Sequence, residues 1–446
     1  VTKHSPRKIF AFASLALATA FISPREATAA KLDLMLDTEI KAASYGNVNF
    51  ADPTPYNAGF FTQNAGAGFT IKNIKPSLAH DTSIDISIKL RAVGVSGSTA
   101  PYRPPFDQAA DRYPSTSFVP YMENAYVRVN NIFNSRMAFT AGRQPFKLAT
   151  GMTLSDDGLG FGGFSLKQDK ALWDIGWQAF AFVPYTAQQG ASEVYITGAS
   201  LSLPAEGLWQ LYSFWELDNR TQTVLAQQMN KATRMFSGIS YSMRIGNMAF
   251  EGEGAIQRGT AKSGGGGNSI SYKGYAFIAS GRWTQSLMKL GTGAARLSIG
   301  RASGDRTDTA STDEAFFPSF GHRYNGLERS GFGEVFASSL YDAMGGTATT
   351  ANGLPAGVSG IQMINFGLTL PPVKGIITEL DYYAFEAATS ATGGQRLGSE
   401  FDVRLVYLLG DPLKITFAAG TFKPGSAYAD GVKSPSKVSL EVSSRF

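Results

Sequence analysis

Leu32, Leu34, Leu36, Thr38, Ile40 and Ala42 alternate with Asp33, Met35, Asp37, Glu39 and Lys41, so one extended segment carries an apolar face and a strongly charged face. The period recurs along the chain. Ile84, Ile86, Ile88, Leu90 and Ala92 oppose Asp85, Ser87, Lys89 and Arg91, and Phe401, Val403, Leu405 and Tyr407 oppose Glu400, Asp402, Arg404 and Val406. The final stretch, Ser436 to Phe446, places Val438, Leu440, Val442, Ser444 and Phe446 opposite Lys437, Ser439, Glu441, Ser443 and Arg445. A face this charged must meet water, and an apolar face this complete must meet lipid or a second sheet.

Punctuation separates those cases. The pattern predicts eighteen strands, near 32–45, 68–80, 82–94, 119–130, 136–146, 159–168, 170–184, 192–203, 207–218, 233–245, 247–258, 269–284, 290–304, 358–370, 374–387, 396–409, 412–423 and 436–446. Tight connections (His80-Asp81, Asn131 to Ser135, Gln168-Asp169, Pro204 to Glu206, Gly246, Pro371 to Val373, Gly410-Asp411) alternate with loose ones at 46–67, 95–118, 147–158, 219–232, 259–268, 305–357, 388–395 and 424–435. An even strand number with short turns at one rim and long loops at the other predicts an all-β fold, a transmembrane antiparallel β-barrel of about eighteen strands. A periplasmic β-sandwich or propeller is the alternative, but no blade-like repeat is present. The loop 305–357 is too long to be structureless and is expected to fold over the mouth or into the lumen, as a gate or a plug. Trp173, Trp177, Trp209, Trp215, Trp283, Tyr382 and Tyr407 gather near strand ends, as interfacial anchors do.

Composition agrees with strands: 49 glycines, 12% aromatic and only 17% charged residues. There is no cysteine, which excludes disulfides, thiolate metal sites and cysteine nucleophiles. The N-terminus reads as a secretory signal peptide over 1–29, with Lys3, Arg7 and Lys8 before the apolar run Ile9 to Ile22 and Ala27-Thr28-Ala29 as cleavage site; 30–446 would form the barrel. Its removal takes away four basic residues (Lys3, Arg7, Lys8, Arg25) and Glu26, lowering the net charge from +5 to +2. So small a charge does not describe a nucleic-acid binder.

Three stretches resemble the alginate-export family of outer-membrane porins. Gly142-Arg143-Gln144-Pro145-Phe146 ends a predicted strand like that family's glycine-arginine-glutamine. Phe316 to Gly326, FFPSFGHRYNG, is similar to its phenylalanine-proline, histidine, tyrosine-glycine stretch. Leu397 to Asp402 followed by Phe417 to Gly425 (FAAGTFKPG) looks like its closing strand and corner. The order is the family's, but Ser319-Phe320-Gly321 widens the spacing before His322, and Leu327-Glu328 replaces an acidic pattern. The resemblance implies passive passage of a hydrophilic, anionic solute or an alginate-like polysaccharide through the outer membrane of a Gram-negative-type bacterium; a general diffusion or small-anion porin of the same fold is the alternative. Export would imply a periplasmic partner. Phe446 would be read by the barrel-assembly machinery as a C-terminal signal.

In a barrel, function belongs to inward charges, since Arg or Lys facing lipid at mid-depth costs roughly 2–4 kcal/mol. The candidate path comprises Lys89, Arg91, Arg128, Arg143, Arg234, Arg244, Arg282, Arg296, Arg404 and Lys414, with Glu251, Glu253, Glu379, Asp381, Glu400 and Asp402; Asp33, Asp37, Glu39 and Asp85 are further acidic positions. Two readings stay open: a basic ring that attracts anions, or a self-neutralising ladder that braces the wall. By resemblance, Arg143 would lie on the conduction path. Catalysis has little to stand on. Beyond the leader only His80, in a predicted turn, and His322, in the long loop, remain. Asp156-Asp157 lacks the spaced oxygens of a calcium loop, and no Lys-Ser or Lys-Thr follows the glycines of Lys262 to Asn268 to make a phosphate loop. The chain is therefore expected not to be an enzyme and to carry no cofactor, metal or nucleic acid, with membrane lipid as its immediate surroundings.

Overall fold

The computed structural model describes residues 30–446 apart from 49–54, 77–80, 97–112, 171–173, 185–193, 225–226, 264–267, 288–290, 307–308, 321–323, 326–327, 330, 337–354, 356, 392 and 411. Residues 1–29, expected above to be a leader, and His80, Trp173 and His322 fall outside these residues. Eighteen long strands form the wall: β1 Lys31–Val48, β2 Tyr56–Ile74, β3 Ser83–Ser96, β4 Tyr121–Ile132, β5 Met137–Gln144, β6 Phe161–Gln168, β7 Gly176–Pro184, β8 Val194–Pro204 and β9 Leu208–Asp218 make the first half. The second half is β10 Lys231–Ile245, β11 Met248–Lys262, β12 Tyr275–Ser286, β13 Thr292–Ala302, β14 Val358–Val373, β15 Ile376–Ser390, β16 Arg396–Leu408, β17 Leu413–Pro424 and β18 Ser436–Arg445. Each pairs antiparallel with its neighbours in sequence, and β18 returns to β1 in register from Asp37 opposite Arg445 to Gly46 opposite Ser436. The sheet is a closed antiparallel barrel of eighteen strands, and closure removes both edges.

The alternation has the predicted sense. Leu34 is 73% exposed on the outside of β1, while Asp33 and Asp37 on the inside are held in ion pairs. On β18, Val438, Leu440 and Val442 face out, and Lys437 and Ser439 are buried within. Trp209, Trp215, Trp283, Tyr382 and Tyr407 are exposed on the outer surface, where a lipid interface would meet them.

Several boundaries differ from expectation: the strand expected at 170–184 begins at Gly176, the one expected at 269–284 is a short strand Ser269–Tyr272 followed by the wall strand from Tyr275, and two further differences have a clear physical cause. The second strand begins at Tyr56, within the segment 46–67 expected to be a loop. Its Gly-, Ala- and Asn-rich sequence hides the period, and pairing with β1 decides its conformation. The hairpin expected at Pro371 to Val373 turns instead at Lys374-Gly375, both with positive φ (51° and 80°), the backbone a two-residue hairpin needs to match strand twist. The prolines sit where the β14–β15 register shifts between Leu370 and Val373, a place that asks no ladder bond of them.

A barrel this wide cannot be filled by its own wall side chains. Here segments from two loops occupy the lumen, and the largest buried cluster lies between them and the wall: Phe146, Leu154, Phe316 and Phe336 from the loops meet Phe180, Phe182, Phe214, Phe236, Phe385 and Phe422 from the strands. The expected folding back of 305–357 is seen in its described parts. That of 145–160, expected to be an ordinary outer loop, is a finding of the tertiary structure.

Candidate functional site: the loop-lined lumen

The loop 145–160 enters the barrel as a small hairpin, with Leu148 N donating to Leu154 O at 2.9 Å and Asp156 N to Phe146 O at 2.8 Å. Phe146 packs 4.7 Å from the rings of both Phe180 and Phe182. The tip is held by Glu253 on β11, whose carboxylate accepts from Thr150 N at 2.9 Å, from the Thr150 hydroxyl and from Tyr212 OH. Its far side meets the second loop: Ser155 N donates to Phe320 O, and Leu154 and Phe320 form a parallel bridge.

The second loop is anchored twice. Near Phe317, Arg234 of β10 is only 5% exposed, bonded to Glu216 through Nε at 2.9 Å and donating Nη1 to Phe317 O at 2.8 Å, while Phe317 N donates to Gln257 Oε1 at 2.7 Å. Near Phe336 the backbone itself makes an anion cradle. Val335 N and Phe336 N donate to the two oxygens of Glu400 at 2.6 and 2.9 Å, and Glu334 N to Asp402 at 3.0 Å. Successive amides can converge so only if the chain curls tightly. Gly333 supplies the curl with φ of 84°, at a place where a Cβ would lie 2.4 Å from Glu400 Oε1. Phe336 then stacks on Phe422 at 4.5 Å and meets Phe385 at 5.0 Å. The Glu334 side chain bonds Lys437 Nζ at 2.8 Å and the Arg404 guanidinium. Burial would by itself raise the Glu334 pKa, but Lys437 and Arg404 prevail and hold it well below the usual carboxylate range.

The uncovered wall carries charge networks. Asp37 lies 2.8 Å from Lys89 and 3.0 Å from Arg91, and Glu123 lies 2.5 Å from Arg91 and 3.4 Å from Lys89. Across the lumen Arg296 bonds Asp381 at 2.6 Å and Asn365, Arg404 reaches Glu379 at 3.3 Å, and Lys414 lies 3.7 Å from Glu441. Glu251 accepts from Ser280 at 3.0 Å and Asp85 from Asn130 at 2.9 Å. The acids are thus engaged by partners, while three inward cations differ. Arg128, opposite Asp85 on the neighbouring strand, and the lumen-exposed Arg244 and Arg282 have no hydrogen bond or ion pair among the described residues. Arg282 stands directly opposite Arg296 on β13.

Arg143 is half-buried beside the returning loop, with Nε donating to Leu159 O at 2.7 Å. Phe446 is 67% exposed, and its backbone exchanges hydrogen bonds with Leu36 across the closing seam. The candidates thus fall into loop anchors (Arg234, Glu253, Glu400, Asp402), wall pairs (Lys89, Arg91, Arg296, Arg404, Lys414, Glu251, Glu379, Asp381) and cations without partners. Glu123, Glu216, Glu334 and Lys437 complete the networks and were not foreseen. In Gly331 to Phe336, GFGEVF, an acid between glycine and aromatics was the available signal for Glu334.

No family model matches the chain, and no curated protein matches it in sequence. Solved structures do match. That of Pseudomonas aeruginosa OccK2 (OpdF) superposes with a TM-score of 0.58 at 10% identity, covering 93% of this chain and 98% of that one. A second, of OccK2 (OpdF) in complex with glucuronate, gives 0.55 at 11% identity over 93% and 96% of the two chains. A third, of Pseudomonas aeruginosa OpdK with vanillate, gives 0.54 at 13% identity over 93% and 98%. The class is thereby defined: the fold is the eighteen-stranded barrel of the OccK and OccD porin structures. The resemblance to the alginate-export family finds no counterpart in these comparisons.

Proposed function

We propose that this chain is an outer-membrane porin, not an enzyme, passing small anionic solutes passively through a lumen narrowed by its two inward loops. The observation that carries the reading is an asymmetry of satisfaction. The inward carboxylates are engaged by loop groups, by wall cations or, at Glu251 and Asp85, by the neutral side chains of Ser280 and Asn130, whereas Arg128, Arg244 and Arg282 have no hydrogen bond or ion pair among the described residues and remain to meet a solute. In a narrow low-dielectric passage, cations without partners attract anions and exclude cations. The glucuronate and vanillate in the two similar structures are small carboxylates, which favours the same class here. A small solute is preferred over a polysaccharide because the loops fill much of the lumen that a polymer would thread.

The test is current through the purified barrel in a planar bilayer under a salt gradient, with a uronate monomer or a polyuronate oligomer added. Anion-selective current reduced by the monomer is expected. Block by the oligomer alone would restore the polysaccharide reading, and cation-selective current would overturn the proposal.

A further inference from the structure

Not every cation of this barrel faces the lumen. On β13, Leu297, Ile299 and Arg301 share the outward face, and Arg301 lies opposite the exposed Phe277 of β12. Arg301 is the penultimate residue of its strand at the long-loop rim, where an outward cation escapes the mid-depth penalty. It lines a polar pocket of 330 Å³ on the outer wall with Lys273, Tyr275, Arg306 and Glu314. The loops build this pocket deliberately. Lys273 N donates to Asp313 O at 2.9 Å, Tyr275 N to Ser303 Oγ at 2.9 Å, and Ser303 Oγ to Glu314 O at 2.7 Å. Arg306 is spent on Glu314 through two bonds of 2.6 and 2.7 Å. The side chains of Lys273 and Arg301 have no hydrogen bond or ion pair among the described residues, and Arg301 Nε is buried without an acceptor. Three cations against one carboxylate leave the pocket doubly positive.

Below this pocket on the same strands the wall is concave. Gly252, Gly254 and Gly281 open a lipid-facing recess of 590 Å³ rimmed by Phe250, Phe277 and Leu297. Ile299, which also lines the recess, precedes Arg301 by two residues, about 7 Å along the strand. A doubly positive pocket seated over an apolar trough matches one kind of molecule, with anionic headgroup above and hydrocarbon chains below.

The geometry points to a binding site for a phosphorylated, multiply acylated glycolipid of the outer leaflet, its phosphate held by Arg301 and Lys273 and an acyl chain lying in the recess under Phe277. The inference rests on the outer-membrane reading above, but not on what the lumen conducts. The probe is a diphosphorylated, acylated glucosamine disaccharide lipid titrated into the detergent-purified full chain and followed by native mass spectrometry, beside its dephosphorylated form and inorganic phosphate alone. Saturable binding of the phosphorylated lipid is expected, weakened about a hundredfold or more in Lys273→Gln/Arg301→Gln, since two charge-assisted bonds are lost and each is worth about tenfold or more. Equal binding by the double variant, equal binding of the dephosphorylated lipid, or binding of inorganic phosphate with no glycolipid adduct would each overturn it. Heat-shifted mobility and channel current recorded on the same samples show whether the variant is a folded barrel and test the porin reading separately.

Discussion

Glu334 and Lys437 lie 103 residues apart in sequence and 2.8 Å apart in space, joining a loop inside the lumen to the strand that closes the barrel. Lys437 is 5% exposed on its side chain and Glu334 14%, so neither can turn to water for a substitute partner.

Removing one charge of a buried pair strands the other, at a cost of about 3–5 kcal/mol. Glu334→Gln is therefore expected to loosen the Phe336 segment, raising single-channel conductance and speeding proteolysis within 303–357. Because Lys437 and Arg404 hold the Glu334 pKa far down, its stabilising contribution is present above the ordinary carboxylate range and is lost only in strong acid. Unaltered conductance in this variant across pH 5–8 would show that the pair does not fasten the loop.

Asp156 and Asp313 behave in the opposite sense. Burial pushes each up to about 6, against hydrogen bonds from Gly160 N to Asp156 and from Ala315 N to Asp313. Between the ordinary value of about 4 and about 6 the folded loops bind protons that an unfolded chain has released, so loop docking strengthens as pH falls through that window. Channel noise from loop motion is expected to diminish from pH 7 to pH 5, and Asp156→Asn with Asp313→Asn to flatten the dependence. A slope that survives both substitutions would assign it to other groups.

Arg244 and Arg282 face the lumen on strands whose outward neighbours, Ile245 and Trp283, are exposed. Arg282→Glu is expected to move the reversal potential toward cation preference, more than Lys414→Glu, whose ammonium is already partnered by Glu441. Arg143→Glu should chiefly disturb the return of the 145–160 loop, because its guanidinium braces Leu159 O. Equal shifts from Arg282 and Lys414 would remove the distinction between free and paired cations.

Phe336 is fully buried between Phe385 and Phe422. Phe336→Ala should cost roughly 3–5 kcal/mol of loop docking while leaving the barrel closed. Heat-shifted gel mobility is expected to persist, and protease cleavage near the loop to rise. Loss of the mobility shift would mean that the loop supports the wall itself.

The strand period, the eighteen strands and the alternation of short and long connections were legible in the sequence, because a wall strand between lipid and water writes its two environments into successive residues. Leu32 to Ala42 and Val438 to Phe446 show this directly. The inward aromatics did not fit the rule of a polar inside. Phe180 to Val183 is apolar on both faces, and Tyr212 and Phe214 put two aromatics on the inward face of β9, which marks strands covered on both sides and could have revealed that something packs within the barrel. Which segment does so was not written locally. The Gly333 to Phe336 cradle depends on Glu400 and Asp402, some 65 residues away, and on Lys437 beyond them. Likewise the sequence supplied the lumen charges but not their partners: pairing of Arg91 with Glu123, or its lack at Arg282, follows from strand register and loop position, which closure of the whole barrel sets.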